Sequence, residues 1–194
     1  MKNTLKCSLY LLARVILVCM LSFMAIPLSS VAPNILNPIL AVLYTGMLIY
    51  FFVLTMWHEG GLDANRVEIK TMKPMPYKGY LAAFIISLPL MANSYAMYAV
   101  GSDVSNPVIR ALKIVWVVSA FSTSYAINFF TSTSEADILE GAPTQSSDAL
   151  TAVIVFCVIY FVASICAGLG YTFGFKKIEV VSKLKEKFLA LFKK

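Results

Sequence analysis

Residues 110–132, "RALKIVWVVSAFSTSYAINFFTS", decide how this chain is threaded. The stretch is long enough to cross a hydrocarbon core of about 30 Å. It nevertheless holds Lys113, Ser119, Ser122, Thr123, Ser124 and Asn128, the most polar set of any apolar block in the chain. At roughly 100° per residue, Arg110, Lys113, Ser124, Asn128 and Thr131 share one side with Val117 and Ala120. A one-sided stripe predicts a helix that lies in the outer interface or dips partway into it. The alternative is a true span whose stripe faces the bundle.

Four further apolar blocks surround this one, at about 8–28, 37–57, 79–100 and 149–173. The 194 residues are 59% hydrophobic and 13% charged, where soluble domains carry about a quarter charged residues. Mean hydropathy is +0.79. The sequence therefore predicts an all-α integral membrane protein whose principal partner is the lipid bilayer. Its excess of 16 Lys+Arg over 10 Asp+Glu reads as topology and headgroup attraction. No aromatic-interleaved basic patch lies outside the membrane flanks, so nucleic acid is not a predicted partner.

Charge bias then selects the threading, because loops rich in Lys and Arg stay cytoplasmic. If all five blocks span, either the tail lysines or the remaining flanking cations are exported. If the 111–131 block fails to span, Lys2, Lys6, Arg66, Lys70, Lys73, Lys78 and seven tail lysines share one side. Only Arg110 and Lys113 then fall outside, together with the acidic stretch 132–148. The expected fold is four transmembrane helices plus an interfacial or re-entrant helix, with five spans as the alternative. Residues 1–177 form a single helical membrane domain and 178–194 an amphipathic tail helix. Both termini are expected in the cytoplasm.

The N-terminus imitates a signal peptide, but Arg14 interrupts the apolar run and Pro33 follows the nominal cleavage site. A retained signal-anchor helix is expected. The four cysteines contain no C-x-x-C and read as small buried hydrophobes.

Residues 58–78, "HEGGLDANRVEIKTMKPMPYK", are the best candidate site. A zincin helix needs a second histidine at 62, where leucine stands, and His58 is the only histidine. Asp63 and Asn65 fit the start of a calcium loop, but Val67 and Glu68 occupy positions where a ligand and a glycine belong. The structural expectation is that Trp57 anchors a span at the interface and Gly60-Gly61 end it as a C-cap. Asp63 then caps a turn with Arg66 in reach. Gly61, Asp63, Asn65, Arg66 and Lys78 are the residues of this loop singled out for a structural or partner-binding role.

No nucleophile–base pair, phosphate loop or intramembrane carboxylate pair is present to suggest an enzyme, and no cofactor or metal is implied. Arg14 is expected to reach back toward the headgroups, a buried functional charge being the alternative. Ser87, Asn93 and Ser94 lie near Pro89, where they either pair with freed backbone or line a small polar cavity. Ala163, Ala167, Gly170 and Gly174 recur at spacings of four, three and four, the last two as G-x-x-x-G. They form a close-packing helix face for another span of this chain or for another protein. In the tail, Ile178, Val181, Leu184, Phe188, Leu191 and Phe192 make one face, with Lys185 the only intruder. Lys183, Glu186, Lys187, Lys193 and Lys194 face away, which suits either anionic lipid headgroups or a partner subunit.

Several short motifs together resemble a group of small multipass membrane proteins of unknown function from low-GC Gram-positive bacteria, of clostridial type. They are G-x-D-x-N-x-V (Gly61, Asp63, Asn65, Val67), P-x-K-G (Pro76, Lys78, Gly79), Arg110, and G-Y-x-x-G-[FY]-K (Gly170, Tyr171, Gly174, Phe175, Lys176). The group's usual form has a further glycine soon after the valine, which "VEIKTM" lacks. The resemblance implies a bacterial cytoplasmic membrane and a cytoplasmic 58–78 loop, and no activity. The functional expectation is a non-enzymatic accessory or scaffold that binds a membrane protein partner, or a second copy of itself, through that loop. The alternative is a solute-binding transporter component with a pocket lined by Asn93, Lys113, Ser124 and Asn128.

Overall fold

No water reaches a peptide group in hydrocarbon, so each backbone N–H and C=O must be satisfied within the chain, and the chain answers with helices. The computed structural model describes residues 2–29, 33–100, 106–131 and 147–177. The amphipathic tail helix expected over 178–194 lies outside the described residues. The helices are α1 (Lys2–Met24), α2 (Ile26–Ser29), α3 (Pro33–Glu68), α4 (Lys78–Val100), α5 (Pro107–Phe121), α6 (Ser124–Phe130) and α7 (Ser147–Phe175). Four of them, α1, α3, α4 and α7, are long and apolar enough to span a membrane, and α5 with α6 forms a pair bent by 80°.

Contacts at the helix ends give the threading. Cys7 of α1 meets Glu59 of α3, and the Ser8 hydroxyl donates to the Ala82 carbonyl of α4 at 2.9 Å. Lys177, just past α7, donates to Glu68 at 2.5 Å. The start of α1, the end of α3, the start of α4 and the end of α7 therefore meet at one end of the bundle, here the near end. The end of α4 and the start of α7 consequently both lie at the far end. Beside the four helices long and apolar enough to span, α5 and α6 stand as a bent pair, the place where the sequence predicts an interfacial or re-entrant helix with a fifth span as the alternative.

The bend has a chemical cause. Asn106 opens α5 by accepting from the Val108 amide at 2.9 Å, with Pro107 in the first turn. The helix stops inside the protein, where its last carbonyls would be orphaned. Hydroxyls meet three of them, Ser122 donating to Ser119, Thr123 to Ala120 and Ser124 to Phe121, while Ser119 donates back to Val115 and Trp116 within the helix. Such back-bonding competes with helix continuation. The stripe expected along one continuous helix (Arg110, Lys113, Ser124, Asn128, Thr131) is therefore divided between α5 and α6 at Ser122–Thr123, and Ser124, its one hydroxyl beside the break, bonds the Phe121 carbonyl. Asn93 of α4 donates to Leu112 at 3.1 Å, Trp116 packs on Phe156 with centroids 5.4 Å apart, and Tyr125 stacks on Tyr44 at 5.4 Å. The pair thus runs from α4 past α7 and α1 to α3, within the far half of the bundle.

The Gly60-Gly61 pair does not end a helix, contrary to the C-cap expectation. α3 continues to Glu68, and its 36 residues rise about 54 Å, well beyond the hydrocarbon thickness. It ends in a Schellman motif, with Lys70 N–H on the Val67 carbonyl at 3.0 Å and Thr71 N–H on Arg66 at 2.9 Å. Lys70 takes the left-handed position, at φ 56°, where glycine is usual and where a side chain costs about 1–2 kcal/mol. Lys70→Gly is accordingly expected to raise stability by roughly 1 kcal/mol, read as a higher melting temperature in detergent.

Candidate functional site

Because α3 continues as helix, Asp63 is carried inward to the junction of α3, α4 and α7, where its side chain has no exposure. Three donors converge on its carboxylate. Arg66, one turn on, donates to Oδ1 at 2.8 Å. The Lys78 ammonium, at the start of α4, and the Tyr171 hydroxyl of α7, at 3.0 Å, both donate to Oδ2. Lys78 is itself 2% exposed. A lysine in a helix's first turn stands at the wrong end of the macrodipole, and Asp63 offsets that charge as well as its burial. The network ties three spans together through one carboxylate. Tyr171→Phe removes one hydrogen bond to a charged acceptor, and the expected cost is about 1.5–3 kcal/mol, measured by thermal unfolding in detergent.

The neighbouring surfaces explain why glycines stand here. A Cβ on Gly60 would lie 2.3 Å from the Tyr171 carbonyl oxygen, one on Gly170 2.7 Å from that of Val53, and one on Gly174 2.0 Å from that of Trp57. The face Ala163, Ala167, Gly170, Gly174 is buried, and its two glycines lie directly on α3 of the same chain. On the α4 side, a Cβ on Gly168 would strike the Tyr80 ring at 2.1 Å and one on Gly79 the Tyr171 side chain at 2.3 Å. Close approach of α3 and α7 is what brings Tyr171 within reach of Asp63.

The candidate residues separate accordingly. Asp63, Arg66 and Lys78 form one network. Asn65 is exposed, and with half-buried Gly61 it borders a hollow of about 670 Å³ between α3 and α7. The expected 58–78 loop is corrected to helix through Glu68, with the α3–α4 connection confined to 69–77. Of the residues expected to line a pocket, Asn93 reaches the backbone of Leu112, next to Lys113 in sequence. Lys113 is half-buried on α5, Ser124 is buried in the break, and Asn128 is half-buried on α6. None of the four borders the three main cavities. Near Pro89, Ser94 donates to the Met91 carbonyl at 2.8 Å, and Ser87 accepts from Ser164 of α7 at 2.7 Å.

Nothing in the sequence alone points to the contacts that Tyr171 and Glu59 make. Tyr171 stood within the G-Y-x-x-G motif, but nothing local marks its partner 108 positions away. Among the described residues no cluster of His, Cys, Asp and Glu is arranged to hold a metal ion. Comparison with known protein families, curated proteins and solved structures found no match.

Proposed function

We propose that this chain is a small non-enzymatic scaffold or accessory protein of a bacterial cytoplasmic membrane, with both termini cytoplasmic. The observation that carries the reading is the closed state of the Asp63 network. Its buried groups are occupied with one another, so they lock helices and leave no acid or base free for substrate. What the lock presents is the end of α3 and the 69–77 connection. Ile69 is 69% exposed and Tyr77 59%, an apolar pair flanked by Lys70 and Lys73 beyond the spans. We assign the partner contact to this pair and not to Asp63. A partner recovered after crosslinking in membranes, or a second copy of the chain, should be lost on Ile69→Asp and Tyr77→Asp with melting unchanged. Retention of the partner in both variants, or absence of any stoichiometric partner, sinks the reading. For the orientation, a cysteine-free chain carrying single cysteines at Ser146 and Ser182 should label at 146 and not at 182 in intact cells.

A second reading is supported by one observation. Asn93 and Asn128 each bury a side-chain carbonyl oxygen with no hydrogen-bond partner, and such groups are costly unless something donates to them. A co-purifying small molecule lost on Asn93→Ala or Asn128→Ala would favour a solute-binding component.

A further inference from the structure

Two helix stripes of residues spaced by four face each other across a cleft of about 790 Å³ at the near end. Lys6, Tyr10 and Arg14 come from α1, and Leu54, His58, Leu62 and Arg66 from α3. Side chains four apart lie on one helix face, so each stripe turns a single side toward the cleft. Glu59 is the one carboxylate that borders it.

The charges do not balance. Counting the neighbouring network, Lys6, Arg14, Arg66 and Lys78 stand against Glu59 and Asp63, which leaves a surplus of two positive charges. Arg66 and Lys78 are committed to Asp63. Among the described residues Lys6 and Arg14 make no ion pair. Each rests instead on a ring, Lys6 at 5.7 Å from the Tyr10 centroid and Arg14 at 5.4 Å from that of Phe51. Ring faces steady a cation without accepting its hydrogen bonds, so three ammonium donors and up to five guanidinium donors face the cleft without an acceptor. Glu59 accepts only from the Cys7 thiol, at 3.5 Å.

Position matters as much as charge. Arg14 belongs to the apolar span Thr4–Met24, where an unpaired cation is unfavourable and marks a functional site by default. Its planar fork suits two phosphate oxygens. Around it the cleft is greasy: Tyr10 is 44% exposed and Leu54 40%, and one turn further along α3 Tyr50 is 59% exposed. That combination of convergent cations at the membrane edge and an apolar wall running inward matches an anion that carries acyl chains.

We propose that the α1–α3 cleft binds a phosphate group, held by Lys6 and Arg14 with Arg66 at its mouth. The phosphate is supplied by an anionic phospholipid headgroup or by a soluble phosphate. This site is separate from the exposed Ile69–Tyr77 face and does not depend on it.

The test is native mass spectrometry of the full chain in detergent, titrated with dioleoylphosphatidylglycerol, with dioleoylphosphatidylcholine, and separately with inorganic phosphate. One phosphatidylglycerol should be retained in preference to phosphatidylcholine. Arg14→Gln and Lys6→Gln should each weaken it about tenfold, as expected for loss of a charge-assisted contact, while Arg14→Lys keeps part of the binding. A variant with Lys183→Gln, Lys185→Gln and Lys187→Gln in the tail should bind as the parent does. Inorganic phosphate that binds alone with the same Arg14 and Lys6 dependence supports the site and makes its source soluble. If Arg14→Gln lowers the melting temperature without lipid, exposed Lys6→Gln decides. Phosphatidylglycerol retention unchanged in Lys6→Gln, or abolished by the tail variant, overturns the proposal.

Discussion

Asp63→Ala should melt well below the parent protein, with a loss of about 3–5 kcal/mol, the cost of breaking a buried ion pair by removing one partner. The size follows from what is left behind. Lys78 is 2% exposed and, among the described residues, has no other carboxylate within ion-pair distance, so its ammonium would remain buried and uncompensated. The Tyr171 hydroxyl would lose its acceptor too. Arg66 is 41% exposed and can turn to solvent, so it adds little. Adding Lys78→Met to Asp63→Ala should recover most of the loss, because an apolar pair of similar volume often replaces a buried ion pair at little cost. Thermal unfolding in detergent of the two singles and the double reads this coupling directly. Additive losses, or an unchanged melt in Asp63→Ala, would mean that the network does not lock the near end. By contrast, the Lys177–Glu68 pair joins the ends of α7 and α3 at 52% and 64% exposure. Such surface pairs contribute on the order of 0–1 kcal/mol, so the near end is held by Asp63 and not by this clasp.

Gly174→Ala should be the most damaging glycine-to-alanine change among the described residues. The new Cβ would stand 2.0 Å from the Trp57 carbonyl oxygen and 2.8 Å from its carbonyl carbon. Backbone atoms of a neighbouring helix cannot rotate away, so α3 and α7 must separate. Overpacking of this kind costs about 1–3 kcal/mol, and the upper end or beyond applies where backbone meets backbone. Alanine also gains about 1 kcal/mol of helix propensity over glycine, which leaves a net loss of about 2 kcal/mol. Gly46→Ala separates the two effects. Gly46 also lies in α3, but its Cβ would meet nothing within 4 Å, so only the propensity gain remains. The pair should therefore shift the melting temperature in opposite directions. A neutral Gly174→Ala would refute the close α3–α7 contact on which the Tyr171–Asp63 bond depends.

The misreading of Gly60-Gly61 shows where local signals stop. Two glycines cost a helix roughly 2 kcal/mol in propensity, and by that measure the second span should end there. The backbone of Tyr171 and Phe175 stands opposite Gly60, with Gly170 and Gly174 lying on α3 at Val53 and Trp57, and this closeness offsets the penalty through packing across two backbones. Neither stretch reveals this alone. The hydroxyls of the 111–131 block teach the same lesson. Their identities were legible, yet hydroxyls that line a cavity and hydroxyls that bond carbonyls beside a break have the same composition. What differs is whether the carbonyls of α5 have helical partners, and the sequence does not show that.

The sequence by itself determined that the chain enters a membrane, which four segments are long and apolar enough to cross it, and that the 111–131 block is the odd one out. These follow from hydropathy and charge, which act residue by residue and sum along the chain without reference to partners. The tertiary structure alone decided that Asp63 is buried against Lys78 and Tyr171, 15 and 108 positions away. It also decided that the glycines join helices where they were expected to end one, and that Lys6 and Arg14 face Arg66 across a cleft. Those are properties of pairs at contact distance. A pair's energy depends on separation and burial, and neither quantity exists until the helices have packed.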